Sequence, residues 1–293
     1  MPIRMLIAAL TMSAALVSAA TNLPPQRGVE VQMILTSADH MNHHPAALKS
    51  TDITIMDATI TDWLPLTGRD LELFFLIDDS ANYDPGPKLQ ELRRFIAIQP
   101  DPVAIGVAYI HDGTLSIAEN PTIDHQRAAR ALRAPSGGRS DNTYGALADL
   151  IVKWPRKTVR REVIMVSAGM AAPANADGAL HDAERAGVVV YALYNPTGDY
   201  LSEDWSKVDD GLVNLASLSY ETGGEAYFIG HTPPLSVEPF LADISEHLAH
   251  QYLVKFQVPC TPNGAFQTIF ITPGNPDWEL MKPERVWVPG PVR

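Results

Sequence analysis

One cysteine, Cys260, in a chain of 293 residues excludes an internal disulfide, so the fold must be held by core packing. Cys260 lies in Val258-Pro259-Cys260-Thr261-Pro262, a loop-like stretch, and reads as an incidental loop residue rather than a reactive thiol. Basic residues are few: 22 Lys and Arg face 34 Asp and Glu, a net charge of −12. That balance argues against a phosphate-backbone binder, which needs clustered cations. Past the first twenty residues no segment is apolar and long enough to cross a bilayer. The sequence also lacks a His-Glu-x-x-His helix, a Gly-x-Ser-x-Gly elbow, a Gly-x-Gly-x-x-Gly loop and a P-loop. The glycine pairs at 137–138 and 223–224 therefore read as turns or caps. Trp63, Trp154, Trp205, Trp278 and Trp287 are dispersed and read as packing residues.

What is present begins with an export signal. Arg4 supplies a positive start, Met5 to Leu16 is apolar, and Val17-Ser18-Ala19 or Ser18-Ala19-Ala20 offers a small-residue cleavage site. Residues 1–20 thus read as a secretory signal peptide, and the remainder as a secreted or periplasmic protein with no membrane span after signal removal. No cysteine sits at the cleavage point to take a lipid.

The chain then divides by pattern. Residues 21–68 read as a linker and a small β element, with strand-like runs at Val29 to Leu35 and Ile53 to Ile60 around a polar, His-rich stretch. From residue 69 to 250, short apolar runs alternate with helical spacing. Leu71 to Ile77 is nearly continuous apolar sequence ending at Asp78-Asp79-Ser80, as a parallel strand buried on both faces would be. Pro85 and Pro87 suit a helix start, followed by Leu89, Leu92, Phe95 and Ile96 at helical spacing. Strands are expected at Val103 to Ile110, Thr114 to Ala118, Val163 to Val166, Val188 to Leu193 and Ala226 to Ile229. Helices are expected over 122–133, from Tyr144 to about Trp154, over 175–186 and 207–222, and around Leu241 to Leu248. Such alternation predicts an α/β fold, Rossmann-like, with a mostly parallel central sheet and helices on both faces. Residues 251–293 read as a C-terminal β extension, with strands at Tyr252 to Val258, Phe266 to Ile271 and Arg285 to Val288, which can pair with the N-terminal element.

In open α/β sheets, ligand groups gather at the carboxyl ends of the strands. Three segments can meet there: Asp78 to Asn82, Gly138 to Thr143 and Ser167 to Gly169. Leu76-Ile77-Asp78-Asp79-Ser80-Ala81-Asn82 resembles the Asp-x-Ser-x-Ser signature of von Willebrand factor A (VWA) domains. Tyr144 to Pro155 and Arg160 to Gly169 resemble a bacterial branch of exported VWA-related proteins, so the likeness covers most of residues 70–250 and extends to Gln251-Tyr252-Leu253-Val254-Lys255-Phe256. The resemblance implies a VWA sandwich and a metal ion-dependent adhesion site, in which oxygens from three loops hold Mg²⁺ and leave a position for a partner's carboxylate.

Carried over residue by residue, Asp78 and Ser80 match the first two positions and Asn82 replaces the second Ser. The Thr position falls on Ser140 if aligned on the Gly137-Gly138 turn, or on Asp141 if aligned on Tyr144-Gly145-Ala146-Leu147. The second Asp position falls on Ala168, which has no ligand to give. The site is degenerate, and Mg²⁺ is expected to be held weakly or not at all, because affinity rises with ligand charge. Asp79 and Asp141 stand beside ligand positions as sources of compensating charge. Asp39-His40 with His43-His44 is a second cluster of metal-ligating types, read as a solvated loop. The expected function is exported protein binding at the top face, through Asp78, Ser80, Asn82, Ser140 and Asp141, and not catalysis. An exported metal-dependent hydrolase and a structural envelope component are the alternatives.

Overall fold

The computed structural model describes residues 28–38, 47–80, 86–137, 142–154, 160–167, 176–194, 205–227 and 236–290. Its strands are β1 (Gly28–Ala38), β2 (Ile53–Ile55), β3 (Thr59–Pro65), β4 (Leu71–Asp78), β5 (Ala104–His111), β6 (Thr114–Thr122), β7 (Arg160–Ser167), β8 (Val188–Tyr194), β9 (Ala226–Tyr227), β10 (Gln251–Pro259), β11 (Ala265–Thr268), β12 (Ile271–Pro273), β13 (Glu279–Met281) and β14 (Arg285–Val288). The helices are α1 (Gly86–Ile98), α2 (His125–Ala131), α3 (Thr143–Lys153), α4 (Ala176–Ala186), α5 (Trp205–Thr222) and α6 (Glu238–Ala249).

The central sheet runs β6-β5-β4-β7-β8-β9. β4 pairs in parallel with β5 and β7, β8 in parallel with β7 and β9, and only β6 runs antiparallel, as the return of a hairpin from β5. All eight residues of β4 are buried, which is why its sequence is a nearly continuous apolar run, broken at Glu72, rather than an alternating one. Its side chains divide between two cores. Leu73, Phe75 and Ile77 pack with Leu92, Phe95 and Ile96 of α1, Ala128 of α2, and Leu241, Ile244 and Leu248 of α6. Phe74 and Leu76 pack with Tyr144, Leu147 and Leu150 of α3, Ala179 and Ala183 of α4, and Leu215 and Leu218 of α5. Helices therefore cover both faces, as the alternating pattern predicts.

A second, antiparallel sheet joins the two ends of the chain in the order β13-β1-β10-β3. The β1–β10 ladder runs from Gly28 opposite Pro259 to Thr36 opposite Gln251. Val31, Met33, Leu35, Val254, Phe256 and Val258 share a third core with Ile53, Ile55, Val286 and Val288. Ile34 and Leu253 turn the other way, into the core that holds α6, and so fasten this sheet to the α/β unit.

β6 continues to Thr122, past the expected Ala118, so α2 starts later than expected, and two expected strand runs are divided. The run Ile53 to Ile60 is broken at a turn, where Asp57 takes φ 54°, into β2 and β3. The run Phe266 to Ile271 is divided because β11 pairs with β14 and β12 with β2. β13, three residues of the C-terminal segment paired with the end of β1, carries too short a pattern to be read from sequence.

Candidate functional site

β4 delivers Asp78 at its last position, at the carboxyl end of the central sheet, with no solvent exposure. The chain turns at once, and Ser80 folds back so that both its backbone N–H (3.0 Å) and its hydroxyl (2.6 Å) donate to Asp78 Oδ1. The other carboxylate oxygen receives two hydroxyls from elsewhere. Ser167, the last residue of the neighbouring strand β7, donates to Asp78 Oδ2 at 2.9 Å. Thr143, the first residue of α3, donates to the same atom at 3.3 Å. Ser167 and Thr143 are both fully buried. Hydroxyls from three separate segments thus converge on one carboxylate.

Asp79 faces another set of partners. Arg133 reaches it with a bidentate grip, Nη1 to Oδ1 at 2.7 Å and Nη2 to Oδ2 at 2.6 Å. The Ser136 hydroxyl (3.0 Å) and backbone N–H (3.3 Å) add two donors, and His111 Nδ1 lies 3.3 Å from Oδ2. The guanidinium also sits 3.9 Å from the centre of the Tyr109 ring, and the Arg133 backbone N–H donates to the Tyr109 hydroxyl at 2.6 Å. Burial alone would raise the Asp79 carboxyl. The hydrogen bonds from Arg133 and Ser136, with the Arg133 charge, outweigh it and hold the group below the usual carboxylate range.

A depressed folded-state pKa contributes stability that is complete above the unfolded value of about 3.9 and is lost as pH falls through the folded value. Asp79→Asn should therefore lower stability at neutral pH by on the order of 1–2 kcal/mol, discounted because Arg133 is half exposed, and should flatten the acid limb of the stability curve. Urea unfolding from pH 7 down to pH 2.5 measures it; equal slopes below pH 4 for both proteins would refute the assignment.

Of the residues expected at the site, Asp78 and Ser80 are in contact, while Asn82, Ser140, Asp141 and Ala168 lie outside the described residues. The cluster from His40 to His44 also lies outside them. Sequence reasoning did not select Thr143 or Ser167, although both stand within the three segments expected to meet. The available signal was positional: Thr143 opens α3 directly before Tyr144, and Ser167 closes the apolar run of β7. Cys260 is partly exposed just after β10.

Mg²⁺ seeks about six oxygens at about 2.0–2.1 Å, and is bound through carboxylates. The oxygens around Asp78 are hard donors of the right kind. Among the described residues they bring one negative charge, because Arg133 neutralises Asp79 instead of leaving it to face a cation. The three hydroxyls each hydrogen-bond the Asp78 carboxylate. The described set does not fit a tightly held dication.

A mostly parallel sheet with one antiparallel edge hairpin, helices on both faces, and an Asp-x-Ser turn at the end of its central strand meeting hydroxyls from two further loops decides the architecture. This architecture resembles that of von Willebrand factor A domains. No family model matches the chain, and no curated protein does. Solved structures similar to this one include an aerotolerance-related membrane protein from Bacteroides fragilis (14% identity, 61% of this chain and 98% of that one, TM-score 0.44). A von Willebrand factor type A protein from Catenulispora acidiphila is similar at 11% identity over 90% of this chain and 74% of that one, TM-score 0.42. A manganese-loaded TRAP protein from Plasmodium vivax is similar at 13% identity over 78% of this chain and 98% of that one, TM-score 0.42. No described helix is long and apolar enough to cross a membrane.

Proposed function

We propose that the chain is an exported protein-binding module that docks another protein at the carboxyl end of its central sheet, without needing a divalent cation. The observation that carries this reading is the convergence of Ser80, Thr143 and Ser167 on the buried Asp78 carboxylate. This convergence fixes the relative positions of the segments that reach this end of the sheet. Those segments are the natural docking surface of an open α/β sheet. Arg133 supports the metal-free reading, since its fixed guanidinium compensates Asp79 where a bound ion would otherwise be called on.

A binder is favoured over a hydrolase because, among the described residues, each of the three hydroxyls donates to a carboxylate, whereas the usual activating base is an imidazole. The signal-like first twenty residues support export.

The test is capture from an envelope or secreted-protein extract by the immobilised wild-type chain, beside Asp78→Ala and Ser80→Ala, in Mg²⁺ and in EDTA. The wild type should retain its partner in both buffers. The variants should lose it, because removing the buried acceptor or its nearest donor frees the three segments. Retention by both variants would overturn the site, and loss of the partner in EDTA would overturn the metal-free reading.

A further inference from the structure

Away from the Asp78 end, at the sheet edge formed by β9, three metal-ligating side chains face one another. Asp243 and His247 stand one turn apart on α6, a spacing that puts both on one helix face. Glu225 comes from the two-residue approach to β9, where its carbonyl accepts the Ala192 N–H of β8 at 2.9 Å. His247 Nε2 lies 3.9 Å from Glu225 Oε2 and 3.8 Å from Asp243 Oδ2. One ligand atom from each of the three lies within 4.8 Å of the others.

The imidazole gives this cluster its direction. His247 is 1% exposed, unlike a surface histidine beside surface acids, and its ring stacks near Tyr191 at 6.0 Å between centroids. The Tyr227 hydroxyl donates to Asp243 Oδ2 at 2.7 Å. Its oxygen also lies 3.5 Å from His247 Nδ1. The other ring nitrogen, Nε2, lies toward both carboxylates, so one ligand atom from each of the three residues faces the same small region.

We propose that Glu225, Asp243 and His247 bind a divalent transition-metal ion of the zinc class. One imidazole nitrogen and two carboxylate oxygens are a three-ligand set that zinc accepts, with water in the fourth place. Bonds of about 2.0–2.2 Å in a tetrahedron put donor atoms about 3.4 Å apart, so the present 3.8 and 3.9 Å need only a small inward turn of side chains. Glu225 and Asp243 are 29% and 37% exposed, which leaves them room to turn and gives the ion a way in from solvent. Tyr227 and Tyr191 hold the histidine and Asp243 from behind, as the partners of metal ligands commonly do.

The test is titration of the whole chain with Zn²⁺ after chelation, read by calorimetry and by thermal unfolding. His40, His43 and His44 are replaced by Asn throughout, so that the loop cluster does not contribute. One ion per chain and a raised Tm are expected. Glu225→Gln and Asp243→Asn keep side-chain shape at partly exposed positions, and each should weaken binding by about tenfold or more. Asp78→Asn should leave the affinity unchanged, which separates this site from the docking surface. No heat and no Tm shift at millimolar Zn²⁺ would overturn the proposal, as would an unaltered response in the Glu225→Gln, Asp243→Asn double variant. In the first case His247 is an ion-pair residue between two acids; in the second the ion binds elsewhere.

Discussion

Arg160→Met should destabilise the protein by about 3–5 kcal/mol, the range for removing one partner of a buried ion pair. Arg160 and Glu162 sit two residues apart at the start of β7, 1% and 0% exposed, with Nε 2.7 Å from Oε1. The arginine also donates through Nη2 to the Leu248 carbonyl at 2.6 Å, near the end of α6. Methionine fills similar volume, so the loss is electrostatic: a carboxylate remains in the core without its cation, and a helix-end carbonyl loses its donor. Burial already pushes the Glu162 carboxyl up against the lowering effect of Arg160, and the variant removes that opposition. Urea unfolding at pH 7 gives the value. The double variant Arg160→Met, Glu162→Leu should recover much of the loss, because it leaves no uncompensated charge. A change below about 1 kcal/mol for the single variant would mean that Glu162 is protonated or hydrated without difficulty.

The second large effect is expected at Gly224. A Cβ built there would lie 2.1 Å from the Val190 carbonyl oxygen and 2.7 Å from its carbon. Val190 belongs to β8 and is fully buried, so the obstacle is sheet backbone, not a side chain that can swing aside. The Gly224 N–H also donates to the Ser219 carbonyl at 2.8 Å, closing the end of α5 directly against the sheet. Overpacking costs about 1–3 kcal/mol and more where the backbone must move. Gly224→Ala should fall at or above the top of that range, measured as a lowered urea midpoint with an unchanged m-value. Gly178→Ala is the control: nothing lies within 4 Å of its added Cβ, on an α4 position where alanine is the better helix former. Equal stability for both variants would show that β8 and the end of α5 can part without cost.

Gly224 also illustrates what sequence could and could not say. A Gly-Gly pair after a helical run reads as a helix stop, and it is one. The second glycine's closer reason, the approach of α5 to the β8 backbone, is a tertiary contact with residues more than thirty positions away. The central strands were legible because burial on both faces leaves nearly continuous apolar runs, as in Leu71 to Ile77 and Val188 to Leu193. The helices were legible by their spacing. The divided strands were not, since Phe266 to Ile271 is one run in sequence and two pairings in space.

At the candidate site, Asp78 and Ser80 could be read because a turn two residues long fixes their contact locally. Thr143 and Ser167 depend on the register of β4 with β7 and on where α3 starts, neither of which a motif encodes. Arg133 was out of reach for the same reason. It stands 54 residues from Asp79, two residues past a short helix rich in alanine and arginine. Asp243 and His247 carry helical spacing, but their third companion becomes visible only when β9 is placed beside α6.

The long ladder between β1 and β10 sets an order of events for the folding chain. β1 is made early, and every residue it pairs with on that side belongs to a strand that begins at Gln251. Until then an eleven-residue strand with an apolar face has an open hydrogen-bonding edge and nothing of its own to close it. The α/β unit draws most of its core from within residues 71–249, with Ile34, Leu66 and Leu253 added from outside, so it can begin to condense while the outer sheet is still incomplete. The two ends of the polypeptide then act as a clasp fastened last, and a chain interrupted before that point would carry a finished interior beside an unguarded, adhesive strand.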